Sequence, residues 1–171
     1  DILNRRGHIA DVLIKSKSLA EFILEELLHK KHPNLIIRTD NLPRLNPKHP
    51  DSDRIITYID NSLKKERNIE KAEKIFDYNS VLNLLSFHNI LELYEEDEAL
   101  LNSIKIVKSF NGERNKIAHS LSQIDSQTVN NKRFQKLIGA LKTMLQYCYS
   151  FDEDWFDYFD KKNKFLLEEL R

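Results

Sequence analysis

The chain has 171 residues with 27 basic and 27 acidic side chains, which is the length and charge balance of one globular domain. Zero net charge excludes an overall basic protein, so a site for a polyanion would have to come from local clustering of charge. The single cysteine, Cys148, excludes a disulfide within the chain and favours a reducing, cytoplasmic compartment, and no apolar run approaches the roughly 20 residues that span a bilayer.

Apolar residues recur every three to four positions along most of the chain, beginning with a predicted helix over residues 4–31. Pro33 ends this helix, because proline disfavours helical backbone in the residue before it. With three glycines and four prolines in the chain, long regular elements have to carry most of its length. We predict further helices over residues 53–65, 69–76, 80–94, 95–110, from about 113 onward, 127–149 and 154–170. The predicted fold class is therefore all-α, a helical bundle.

All four prolines lie between residues 33 and 50, in a predicted arm at about 33–52. Residues 35–37 are apolar enough for a short strand, but no neighbouring pattern offers that strand a partner, so we expect a long loop. A structureless loop of this length is uncommon inside a compact domain. We therefore expect the arm to cover a partner or an adjoining domain.

One six-residue segment carries the side chains best suited to chemistry: Arg114-Asn115-Lys116-Ile117-Ala118-His119. It lies where a helix is predicted to begin, after a break at residues 111–112. Asn115 and His119 are one turn apart and share a face, and Arg114 enters from the first turn. Backbone N–H groups at a helix start attract phosphate, and a guanidinium and an imidazole can bind it and move protons. The segment therefore predicts a phosphodiester site.

The same spacing of arginine and histidine occurs a second time, at Arg44 and His49. That pair contains Pro47 and lies among the other prolines, so it has no helical scaffold. It also lacks the asparagine after the arginine and the alanine before the histidine. Residues 114–119 are therefore the stronger candidate of the two.

Basic residues cluster around this segment although the whole chain is neutral. Between residues 102 and 142 only Glu113 and Asp125 are acidic, whereas the basic residues are Lys105, Lys108, Arg114, Lys116, Lys132, Arg133, Lys136 and Lys142. Such clustering is the expected footprint of a polyanion. The alternative, that these lysines only solvate helix faces, stays open.

Residues 114–119 resemble the signature of HEPN ribonucleases, an Arg and a His separated by four to six residues, commonly with Asn after the Arg. Arg6-Gly7-His8-Ile9-Ala10-Asp11, followed by Leu19-Ala20-Glu21-Phe22-Ile23, is similar to the opening helix of the HEPN half of CRISPR type III accessory ribonucleases. Those proteins join an N-terminal cyclic-oligoadenylate sensor to a C-terminal HEPN domain. The resemblance implies that residues 1–171 are a single HEPN domain, a fragment without its sensor and without the activation by cyclic oligoadenylate that a sensor confers.

The resemblance also implies a function: a metal-independent endoribonuclease that cleaves single-stranded RNA in antiviral defence, with no cofactor. Two copies would form a homodimer in which the two segments face each other. His119 would act in proton transfer, Arg114 would hold the scissile phosphate, and Asn115 would orient groups around them. Lys116, Lys108 and Lys105 are the candidate RNA contacts.

Two other functions stay open from the sequence. The first is a non-catalytic HEPN module that binds a nucleotide or RNA or serves as a toxin–antitoxin partner. The second is a structural helical domain in which the motif occurs by chance. Binding without turnover, unaffected by loss of the 2′-hydroxyl, would favour the module. Separate environments for Arg114 and His119 would favour the structural domain.

Overall fold

The computed structural model describes residues 2–68, 73–112, 115 and 131–149 of the chain. In these residues the predicted helical bundle is confirmed, with a small hairpin added to it. The elements are α1 (Ile2–Lys31), β1 (Ile36–Thr39), β2 (Leu42–Leu45), α2 (Ser52–Arg67), α3 (Leu84–Leu93), α4 (Glu98–Ser109) and α5 (Asn131–Tyr149). Across the described part of the chain, no helix combines the length and apolar character needed to cross a membrane.

α3 forms the centre of the core and packs against α1, α2 and α4. Six of its ten residues are apolar, which favours a helix covered on most sides, and seven of the ten are buried. α1 contributes the longest apolar stripe, which includes Leu13, Ala20 and Leu27, all at most 2% exposed. Burial of these side chains is the main force that holds the bundle together.

The expectation of an unpaired loop at 33–52 is wrong, because this arm contains an antiparallel hairpin. β1 and β2 pair from Ile36 opposite Leu45 to Thr39 opposite Leu42. The turn residues Asp40 and Asn41 both have positive φ, of 53° and 61°, as the tight turn of a two-residue hairpin requires. The partner of the predicted strand therefore lies only a few residues further along the chain.

An ion pair between exposed Arg38 and buried Glu25 attaches the hairpin to α1. The Arg38 guanidinium donates to both carboxylate oxygens of Glu25, with Nε–Oε1 and Nη2–Oε2 distances of 2.7 and 2.6 Å. Glu25 is 5% exposed, so its carboxylate depends on this two-pronged contact in place of water. The arm is consequently fixed to the bundle along this side.

The prediction of a helix over 69–76 is wrong for residues 73–76, which are not helical, and residues 69–72 lie outside the described part. A side chain of α2 holds this segment in place. The Asp60 carboxylate accepts hydrogen bonds from the backbone N–H groups of Ile75 and Phe76 at 2.7 and 3.1 Å. A side chain of another element thus replaces the internal hydrogen bonds of a helix.

α3 begins at Leu84 rather than at the predicted residue 80, because two side chains cap it there. Asn83 accepts hydrogen bonds from the N–H groups of Leu85 and Ser86, and Glu21 of α1 accepts one from the N–H of Leu84 at 2.9 Å. These acceptors satisfy the free donors of a helix start.

α4 and α5 run antiparallel, which determines where the chain emerges toward residues 114–119. At one end, Arg133 donates to the carbonyl oxygen of Ser109 at 3.4 Å. At the other end, the Tyr147 hydroxyl donates to Asp97. The segment after α4 therefore leaves from the end where Ser109 and Arg133 meet, which we call the motif end of the bundle.

Candidate functional site

The structure places one of the three predicted catalytic residues. Asn115 lies in a helix with its side chain exposed. Arg114, Lys116 and His119 lie outside the described residues, so their roles remain predictions. The predicted break at residues 111–112 is wrong, because both are helical, and the chain turns instead at Phe110.

Phe110 anchors the start of the candidate segment. Its ring is 2% exposed, and the guanidinium carbon of Arg133 lies 4.8 Å from the ring centroid, within range of a cation–π interaction. The same arginine bonds the carbonyl of Ser109. α5 thereby holds the backbone from which residues 111–119 continue.

The candidate RNA contacts Lys105 and Lys108 both lie in the half of α4 nearest the motif end. The Lys105 side chain is exposed, and that of Lys108 is half-buried. The positive charges of both lysines favour a lower pKa for the His88 imidazole of α3. The structure therefore puts the two lysines near the chain that leads to Asn115.

α5 brings a second group of basic residues to the motif end. Over Asn131–Tyr149 the helix has no acidic residue, and Lys132, Arg133 and Lys136 occupy its first two turns. Lysines of α4 and basic residues of α5 thus lie at the same end of the bundle. The basic cluster predicted from sequence is therefore partly also a cluster in space. A phosphate chain is attracted to such a surface.

His88 is a buried polar residue that the sequence analysis missed. Its side chain is 6% exposed, and neither ring nitrogen has a hydrogen-bond partner in the structure as described. Burial lowers the pKa of His88 below 6.5, and the charges of Lys108 and Lys105 act in the same direction, against the carboxylate of Glu92. The imidazole is therefore neutral at pH 7.

We expect the free energy of unfolding to fall as the pH drops below about 6.5, the ordinary pKa of histidine. Below that pH, His88 of the unfolded chain takes up a proton, whereas His88 of the folded chain does so only at its lower pKa. Between the two pKa values protons therefore favour the unfolded state. Above this range the stabilisation is complete. Urea unfolding of wild type and His88→Gln at about pH 7.5 and about pH 5.5 measures the effect.

The variant should lose part of the difference in stability between the two pH values. It should not lose all of it, because burial also lowers the pKa of His32. Asn61→Gln, at an exposed position of α2, changes no titratable group and is the control, which should keep the wild-type difference. An unchanged difference in His88→Gln would contradict the assignment.

The helical bundle around α3 and the Arg–His spacing of residues 114–119 are the features expected of a HEPN domain, a class of α-helical domains. The sequence model of the Cas_Csm6 HEPN domain family matches residues 1–167. The chain therefore belongs to the Cas_Csm6 HEPN domain family.

Two curated relatives and one solved structure carry the same name. "CRISPR system endoribonuclease Csm6" of Streptococcus thermophilus is 49% identical over 171 residues, which are 99% of this chain and 40% of that protein. The protein of that name from Enterococcus italicus is 27% identical over 174 residues, again 99% of this chain and 40% of the relative. The structure described as "Enterococcus italicus Csm6 bound to cyclic hexa-2'-fluoro-hexa-dAMP" has a TM-score of 0.71 at 26% identity, covering 96% of this chain and 38% of that one.

The chain spans about 40% of the length of these two curated relatives. The activity of the full-length relatives is therefore a proposal for this chain.

Proposed function

We propose that this domain is the RNA-cleaving part of a CRISPR type III effector, an endoribonuclease that acts on single-stranded RNA in the cytoplasm. The observation that carries the proposal is 49% identity, over 99% of this chain, to a protein named CRISPR system endoribonuclease Csm6. The basic residues of α4 and α5 at the motif end support it, because RNA is a polyanion.

The proposed reaction needs no metal, because RNA supplies its own nucleophile. The 2′-oxygen attacks the adjacent phosphorus, the bond to the 5′-oxygen breaks, and the proton of the 2′-hydroxyl is balanced by one delivered to the leaving oxygen. The products are a 2′,3′-cyclic phosphate and a 5′-hydroxyl. His119 would carry the proton, and Arg114 would stabilise the charge that grows on the phosphate. Asn115 would orient these groups.

We further propose that two copies of the domain complete one site. One chain supplies a single Arg114 and a single His119, whereas the reaction requires a proton to be removed at one oxygen and delivered at another. A homodimer in which two 114–119 segments face each other provides both groups. The exposed position of Asn115 is compatible with such a contact.

Regulation by a cyclic oligoadenylate is proposed to act through a domain N-terminal to this one in the longer protein. The Enterococcus italicus Csm6 structure is described as bound to cyclic hexa-2'-fluoro-hexa-dAMP, and about 60% of the curated relatives' length lies outside the match. Control by that ligand would therefore depend on a segment other than residues 1–171.

The test is cleavage of a fluorescent single-stranded RNA by the domain in excess EDTA. We expect cleavage to persist with the metal removed, and to stop at one position when the nucleotide there has a 2′-deoxyribose. The product should carry a 2′,3′-cyclic phosphate, which mass spectrometry identifies. Cleavage that requires a divalent metal, or that continues at the 2′-deoxy position, would refute the mechanism. Binding without turnover by an intact dimer would instead support a non-catalytic module.

A further inference from the structure

α4 and α5 leave an open groove between them, with a volume of about 580 Å³. It is within the size range of ligand sites in proteins, about 300–1,000 Å³. Its lining includes Asn102 and Ser103 of α4 and Lys136, Gly139 and Thr143 of α5. Ile106 and Lys136 line the part nearest the motif end, so the groove leads toward that end of the bundle.

The α5 wall of this groove carries one lysine, Lys136, and a second lysine, Lys132, lies one turn beyond it. Lys132, Lys136, Gly139 and Thr143 follow one another at steps of four, three and four residues, so they lie in one row along α5. Lys132 and Lys136 are both exposed and stand at the motif end of that row. A ligand in the groove therefore meets Lys136, and a ligand that extends past the groove toward the motif end also meets Lys132, one turn further along α5.

The α5 wall of the groove has no side chain at Gly139. Glycine is the least favourable residue in a helix interior after proline, and Gly139 lies in the middle of α5. A Cβ atom added there would meet nothing within 4 Å, so packing inside the domain gives no reason for a glycine. A ligand that approaches the backbone closely does give one.

We propose that this groove binds the RNA strand that runs to or from residues 114–119, with Lys132 and Lys136 contacting successive phosphates. The inference rests on the proposed function and extends it to the path of the substrate. Charge favours a nucleic acid over a second copy of the chain, because the row on α5 has lysines and no acid. None of the lining residues is aromatic, so the groove offers no stacking surface for bases and would hold the strand mainly through its phosphates.

A single-stranded DNA oligomer tests the groove, because it presents the same phosphates and lacks the hydroxyl that cleavage requires. Its affinity for the wild-type domain is measured by fluorescence anisotropy over a range of salt concentrations. We expect Lys132→Ala/Lys136→Ala to weaken binding about tenfold and to reduce the salt slope by about 1.4, or 0.7 for each lost contact. Gly139→Leu should weaken binding and leave the slope unchanged, since it fills the groove without changing charge.

Lys65→Ala is the matched control, because Lys65 is an exposed lysine of α2, a helix that packs against α3. It should bind the oligomer as wild type does. Wild-type affinity in the groove variants, or no binding by the wild type, would overturn the proposal. So would weaker binding that appears only together with loss of the dimer on a sizing column, which would make the groove a contact between copies. If the domain cleaves RNA but the groove variants bind the oligomer as wild type does, only this inference fails. If the groove variants bind more weakly but the wild type does not cleave RNA, only the proposed function fails.

Discussion

His119→Ala is expected to lower the rate of RNA cleavage by about 10²–10⁴-fold, the usual contribution of a general acid or base. Arg114→Ala should lower it by about 10²–10³-fold, because a positive charge on the phosphate stabilises the transition state more than the ground state. Both effects should appear in the rate of the chemical step. Single-turnover cleavage of a fluorescent RNA in excess EDTA measures that rate directly.

The chain supplies its own matched control, a second arginine and histidine at the same spacing. Arg44 lies in β2, and the His49 imidazole accepts a hydrogen bond from the N–H of Asp51 ahead of α2. Arg44→Ala and His49→Ala should therefore cleave RNA at the wild-type rate. Equal rates in all four variants and the wild type would expose a contaminating nuclease and remove residues 114–119 from the mechanism.

The parts of the fold that sequence predicts well are those where one local signal dominates. α1 and α4 follow from apolar periodicity, and the acidic turn before α4 marks its start, where Asp97 accepts a hydrogen bond from the N–H of Ala99. The hairpin is harder to predict, because the four prolines between residues 33 and 50 favour a loop. Pro43 is nevertheless compatible with a hairpin that has only two strands, since its missing N–H interrupts no further ladder.

The parts that sequence did not predict depend on contacts between distant residues. The apolar pattern favoured a helix at 69–76, but Asp60 fixes residues 75 and 76 from α2. Nothing local reveals that Glu21 caps α3 from 63 residues away. His88 and Asn89 stand as a polar pair inside the apolar run of α3, and this pair is the one signal that would have drawn attention to the buried imidazole.

Asp60→Ala is expected to lower the free energy of unfolding by about 3 kcal/mol. Asp60 is 6% exposed and binds three donors: the N–H groups of Ile75 and Phe76, and the Lys64 ammonium at 2.7 Å. Alanine leaves the donors without their acceptor, at about 1–3 kcal/mol for each buried group. Urea unfolding near neutral pH measures the loss, and Glu66→Gln, at an exposed position of α2, is the control.

Asp60→Asn separates the charge of this side chain from its hydrogen bonds, because the amide keeps an oxygen that accepts from the backbone. Burial alone would raise the pKa of Asp60, but the hydrogen bonds from Lys64, Ile75 and Phe76 outweigh it and lower the pKa below 3.8. The charged form therefore stabilises the fold above pH 3.8, and this stabilisation is lost as the pH falls through the lowered pKa. Wild type should exceed Asp60→Asn in stability at neutral pH, and the two should converge in acid. A gap that stays constant in acid would mean that the charge of Asp60 does not contribute, and that its hydrogen bonds alone hold residues 75 and 76 in place.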